Sequence, residues 1–295
     1  MSRYLAIALL ALGPHALASP STSIRMITLP GPGSPHWSGY LVPERAVAVN
    51  GSQMLQTRGI VPPGFPQKLA AAYDRFEQQL GLVPTPLPAT FLGLQRPDAF
   101  DTIIVEPSAR RSDTALVFLH GYMGNVSLIC WLVSRAADPL GVVTICPSVG
   151  VQGDWWSPEG ARTLGATLRH LRHIGVPCPA HRRDCGPTRP RRVILAGLSN
   201  GARGASVLAP RFRRRLAGLI LISGLSAGAA SPRVPLLLLH GRRDPAVGEA
   251  AATRYVRRAG RQARHVRIAS DHYILLTRES TVRAALGRWL AARIR

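Results

Sequence analysis

A chain of 295 residues with 46% hydrophobic composition can bury about three quarters of its unfolded surface, which excludes a disordered protein. Its formal charge of +22 suggests nucleic acid at first, but Lys68 is the only lysine and 36 of the 37 basic residues are arginines, spread over the whole length. That skew reads as a G+C-rich coding bias and not as a phosphate-binding patch. No nucleic-acid partner is expected, only a weak, salt-screened attraction to anionic envelope surfaces.

At the start, Arg3 precedes an apolar run over residues 4–12, and Ala16-Leu17-Ala18 offers a small-x-small cleavage site. Residues 1–18 therefore read as a signal peptide, cut near Ala18, with export to the periplasm or medium. No cysteine lies near the cut to carry a lipid anchor. No apolar run reaches the roughly 18 to 20 residues needed to span a bilayer.

Residues 19–100 read as an arm or extension with one helix. The first part, to about residue 66, is rich in Pro, Gly and Ser, and short alternating pieces such as 46–50 suggest edge strands wrapping the core. Residues 67–80 place Leu69, Ala72, Tyr73, Phe76 and Leu80 at helical spacing, with Gly81 as the stop. A strand is expected over 100–106.

From Thr114 the pattern becomes regular, and residues 101–295 read as one domain. Short apolar runs over 115–119, 142–146, 193–196, 219–223 and 236–240 predict strands, and 265–269 is read as the last one. Helices are expected over 126–137, 158–174, from 202, over 249–259 and over 277–294. Strands alternating with helices predict an α/β domain, a mostly parallel sheet with helices on both faces. Arg254, Arg257, Arg258, Arg261 and Arg264 recur at helical spacing and predict one solvated face.

Four cysteines fit an oxidising compartment without a disulfide-dense scaffold. Cys178 and Cys185 share a Pro/Arg-rich loop and are close enough to bridge. Cys130 and Cys146 fall in a helical and a strand pattern, as buried thiols would, and the sequence leaves open whether either pair is bonded. There is no paired C-x-x-C spacing for zinc, no P-loop and no dinucleotide fingerprint, so neither metal nor cofactor is expected.

The chemistry concentrates at Gly197-Leu198-Ser199-Asn200-Gly201, which follows the apolar run of residues 193–196. A serine between two glycines at a strand-to-helix turn fits a nucleophile elbow, in which the turn leaves no room for side chains at the glycines. Downstream, His240-Gly241-Arg242-Arg243-Asp244-Pro245-Ala246-Val247 follows the strand over 236–240, and Ser270-Asp271-His272-Tyr273 follows the last strand. Of the other histidines, His240 lies inside the acid loop, His265 begins a strand, and His170, His173 and His181 precede the elbow.

With these motifs, the stretch from about residue 102 to 294 resembles the α/β-hydrolase superfamily, specifically serine esterases without a cap domain. The resemblance implies a nucleophile, acid and base in the order Ser199, Asp244, His272. It implies an oxyanion hole from the backbone N–H groups of Tyr122 and Asn200. Met123, Trp155 and Trp156 are the candidate pocket residues, while Asp154 and Glu159 read as helix-start residues. Only about a dozen residues join the strands over 219–223 and 236–240, too few for a helical cap there. The mouth is left open, or covered only by the N-terminal arm and the Cys178–Cys185 loop.

The function implied is hydrolysis of a small or lipid-like acyl ester through an acyl-enzyme. A serine peptidase of the same fold and a catalytically idle basic surface-binding protein are the alternatives.

Overall fold

The computed structural model describes residues 22–30, 43–171 and 189–294. The expected leader, His173, His181 and the Cys178–Cys185 loop lie outside these described residues.

Among the described residues eight strands form one sheet. They are β1 (Ser23–Leu29), β2 (Phe100–Glu106), β3 (Thr114–Leu119), β4 (Val143–Pro147), β5 (Arg192–Leu198), β6 (Gly218–Ile222), β7 (Leu236–Gly241) and β8 (Ala263–Ile268). Their spatial order is β1-β2-β4-β3-β5-β6-β7-β8. The β1–β2 and β2–β4 pairs are antiparallel, and β3 to β8 run parallel. Leu119 at the end of β3 pairs with Gly197 near the end of β5, so the loops leaving these strands emerge side by side.

The helices are α1 (Glu44–Thr57), α2 (Phe65–Leu80), α3 (Leu87–Phe91), α4 (Val126–Ala137), α5 (Pro158–His170), α6 (Asn200–Phe212), α7 (Glu249–Ala259), α8 (Ile274–Thr277) and α9 (Glu279–Ile294). Successive strand residues point to opposite faces, which sorts the apolar runs into two cores. Leu116, Phe118, Ile194, Ala196, Leu237 and Leu239 pack with α1, α2, α4 and α9. Ala115, Val117, Val193, Leu195, Leu236 and Leu238 pack with α5, α6 and α7. Burial on both faces is why these strands read as continuous apolar runs and not as alternating ones.

Cys130 and Cys146 form a disulfide, with Cα atoms 6.1 Å apart. The sequence left open whether these two cysteines pair, and in the structure they do. Both side chains are buried, and α4 leaves β3 and lies directly over neighbouring β4, which brings helix and strand positions into bonding range.

The N-terminal stretch also departs from expectation. Its described residues contain three helices, not one, and residues 46–50 lie in α1 instead of an edge strand. Glu44, Ala48 and Ser52 are the buried positions of α1. Their spacing of four is helical, but none of them is a large apolar residue, so the Ala-Val-Ala-Val alternation dominated the sequence pattern. The arm does supply one edge strand, β1, along the full length of β2. In α2 the expected face forms, with Leu69, Ala72, Tyr73 and Phe76 buried and Gly81 at the end with φ 68°. All five arginines from 254 to 264 are exposed, but only Arg254, Arg257 and Arg258 lie on α7; Arg264 is already in β8.

The disulfide closes a loop of 16 residues. In the chain-entropy picture such a crosslink stabilises by about 3 kcal/mol. A Cys130→Ala/Cys146→Ala double variant should therefore show a lower denaturant midpoint than the oxidised protein, with an unfolding free energy lower by about 3 kcal/mol. An unchanged midpoint would mean that the crosslink contributes nothing.

Candidate active site

Ser199 sits at the junction of β5 and α6 with φ at 54°, a conformation that non-glycine residues rarely adopt. The flanking glycines explain how the turn closes. A Cβ on Gly197 would lie 2.4 Å from the Gly201 carbonyl, and one on Gly201 would lie 2.0 Å from Leu119 O. The chain is thereby pressed against the end of β3, and Ser199 N–H donates to Ile222 O at 2.9 Å.

Asp244 lies in the loop after β7. Its Oδ1 accepts from Ala246 N–H at 2.8 Å and Val247 N–H at 3.2 Å, which orients the carboxylate. His272 lies in the loop after β8. The two loops are joined by Arg242 N–H to Ile268 O and Arg243 N–H to Ser270 O. Gly241 permits this approach, since a Cβ there would lie 2.0 Å from Asp271 O.

The three side chains form one hydrogen-bond chain. His272 Nδ1 is 2.9 Å from Asp244 Oδ2, and His272 Nε2 is 2.9 Å from Ser199 Oγ. An ionised carboxylate only accepts, so Nδ1–H donates to Asp244 and Nε2 accepts from the Ser199 hydroxyl. Such an array can take the hydroxyl proton onto the imidazole. The other described histidines do not reach Ser199. His240 is buried behind the acid loop, its Nε2 3.9 Å from the Glu249 carboxylate.

Residues 120–125 form the facing wall. Gly121 packs against the elbow, where a Cβ would lie 3.1 Å from that of Ser199. Met123 has φ 67° and its N–H donates to Val151 O. Buried His120 fixes the base of this loop: Nε2 accepts from Val149 N–H at 3.1 Å, so Nδ1–H is the donor to Gly121 O at 2.8 Å. Burial pushes its pKa down to about 4, which keeps the ring neutral. Among the described residues neither the Tyr122 nor the Asn200 backbone N–H has a hydrogen-bond acceptor.

A cavity of about 730 Å³ opens beside Ser199 and His272. Gly121, Tyr122 and Met123 line one part of it, and Leu55, Ile60, Val61, Phe65 and Leu69 line another. Among the described residues no group of three or more His, Cys, Asp or Glu side chains is placed to hold a metal ion.

No protein-family model matches the chain, and no curated protein does. Solved structures do. An α/β serine hydrolase homologue from Coxiella burnetii shares 20% identity at a TM-score of 0.51, covering 65% of this chain and 92% of its own. A serine hydrolase without lid from Xanthomonas campestris shares 21% identity at a TM-score of 0.51, covering 67% and 91%. An esterase from Pyrococcus furiosus shares 13% identity at a TM-score of 0.51, covering 67% and 88%.

The chain has the α/β-hydrolase fold.

In that fold the strand carboxyl ends form one edge, and Ser199, Asp244 and His272 all lie in loops leaving it. The expected pocket is only partly found. Met123 lines the cavity, but Trp155 and Trp156 do not. Trp155 is fully buried beneath α5 and α6, where Gly160 and Gly204 let the helices pack against its backbone and Cβ, and Nε1–H donates to His120 O. Trp156 is half-buried under the Arg203 guanidinium, 4.3 Å from the ring centroid. The α1 and α2 residues of the cavity had no local motif to reveal them.

His120 gives the fold an acid-side weakness. Between pH 6.5, its ordinary value, and about 4 the unfolded chain binds a proton that the folded chain lacks. Stability from this group is complete above pH 6.5 and lost as pH falls toward 4, about 3 kcal/mol in all. His120→Gln should therefore lose less stability than wild type between pH 6.5 and 4.5 in denaturant unfolding. Parallel pH slopes in the two proteins would contradict a neutral folded His120.

Proposed function

We propose that this protein is an exported serine hydrolase that cleaves carboxylic esters through an acyl-enzyme. The observation that carries this reading is the hydrogen-bond chain from Ser199 Oγ through His272 to Asp244, at 2.9 Å in both links. A serine hydroxyl is a weak nucleophile at neutral pH and needs an adjacent base. In the proposed reaction Ser199 Oγ attacks the acyl carbon as its proton passes to His272 Nε2. Asp244 holds the ring in the right tautomer and stabilises the imidazolium.

The oxyanion that forms needs donors already aimed at it. The unoccupied N–H groups of Tyr122 and Asn200, on either side of the Gly121–Ser199 contact, support that role. His272 then gives its proton to the leaving alcohol. A water, deprotonated by the same ring, releases the acid and restores Ser199. That the solved structures of this fold include proteins named as esterases and serine hydrolases supports the reaction class. Export is supported by the leader pattern of residues 1–18 and by the Cys130–Cys146 disulfide, a bond rare in reducing compartments.

The test is hydrolysis of p-nitrophenyl acetate, butyrate and octanoate by wild type and Ser199→Ala. The variant should lose at least about 10³-fold in kcat while remaining folded. Equal rates in the two proteins would remove Ser199 from the mechanism. Cleavage of peptide substrates alone would favour the peptidase reading.

A further inference from the structure

One wall of the cavity comes from chain that precedes the whole parallel sheet. Leu55 lies on α1, Ile60 and Val61 in the link that follows, and Phe65 and Leu69 on α2. These are apolar side chains facing a space of about 730 Å³, far more than an acetyl group fills and well within the range of pockets for larger ligands. Ile60 is 57% exposed, so the apolar surface continues to the mouth.

The wall is fastened to the site at several points. The buried Glu44 carboxylate, at the start of α1, accepts from Ser127 N–H at 3.2 Å and Leu128 N–H at 3.0 Å in the first turn of α4. It also accepts from Tyr73 OH on α2 at 3.0 Å and from Thr85 Oγ1. A negative charge is favourable at a helix N-terminus, and α4 begins directly after the loop that carries Tyr122. On the other side, Tyr273, the residue after His272, donates from its hydroxyl to Ile60 O at 3.0 Å. Its ring lies 4.5 Å from that of Phe65. Between the two, Gly51 leaves room for the Met123 methyl, which a Cβ there would approach to 3.1 Å.

We propose that α1, the link and α2 form a fixed specificity wall that selects esters carrying an extended apolar chain. The proposal rests on the serine-hydrolase reading for its catalytic readout. The chain lies against Leu55, Ile60, Val61 and Phe65. Binding energy comes from methylenes removed from water, worth up to about four-fold in affinity for each one buried. Because the wall is held by Glu44 and Tyr273, it stands ready without first closing over the substrate.

The experiment measures kcat/KM along two series, p-nitrophenyl esters from acetate to octanoate and alkyl acetates from ethyl to octyl. Wild type, Leu55→Trp and Ile60→Trp are compared, with thermal melts to confirm folding. Ile60→Trp is the safer variant, since its position is exposed. Wild type should favour longer chains in one series, which identifies the acyl or the alcohol side, and the variants should cut that preference at least about ten-fold. Ester hydrolysis with the same chain preference in both variants would overturn the wall and leave the hydrolase reading standing. If wild type hydrolyses no ester, the esterase reading falls and the wall is judged by binding. Octanoate and 1-octanol are titrated into Ser199→Ala and Ser199→Ala/Ile60→Trp. Binding weakened by the tryptophan supports an apolar-chain site, and no binding of either overturns it.

Discussion

Gly201 meets the carbonyl of Leu119 with no space for a side-chain carbon between them, and the arrangement of the site follows from that contact. It presses the start of α6 onto the end of β3, so the loop carrying Tyr122 and the turn carrying Ser199 share one small volume. A second backbone contact, between Gly241 and Asp271 O, does the same for the loops carrying Asp244 and His272. Parallel strands deliver all four loops to one edge of the sheet, and the glycines close the last few ångströms. The positive φ of Ser199 costs on the order of 1–3 kcal/mol, a strain that only a well-packed surround sustains. That surround is present. β5 and β6 are buried on both faces, and the flanking helices fill both cores.

The N-terminal helices add a different constraint. They bury no strand of the parallel sheet by themselves, yet they hold both sides of the proposed reaction centre. Glu44 reaches the first turn of α4 behind the loop carrying Tyr122, and Ile60 receives the hydroxyl of Tyr273 beside His272. In the proposed mechanism, a change in this region would alter substrate choice and the poise of the base loop together.

The strands β3 to β7 were legible because each is a short apolar run punctuated by Gly, Pro or charged residues. Burial on both faces removes the polar alternation that would have obscured them. Ser199, Asp244 and His272 were legible for a related reason, since each follows a strand end directly and carries a local motif. The α1 helix was not. Val47, Val49, Asn50 and Gly51 are poor helix formers, and the helix exists because tertiary packing overrides them. Glu44 was invisible in its role because its partners, Tyr73, Thr85, Ser127 and Leu128, are distant in sequence. Trp155 misled because its place after a strand end suited a pocket. The signal for its burial was present in Gly160 and Gly204, whose missing side chains let α5 and α6 press against its backbone and Cβ.

The central claim is that His272 and Asp244 make Ser199 a nucleophile. The most direct measurement is reaction of the folded protein with a fluorophosphonate, followed by mass-spectrometric mapping of the adduct. The account predicts a single adduct on Ser199 that becomes much slower in His272→Ala. An adduct on another residue, or none on folded wild-type protein, would contradict it.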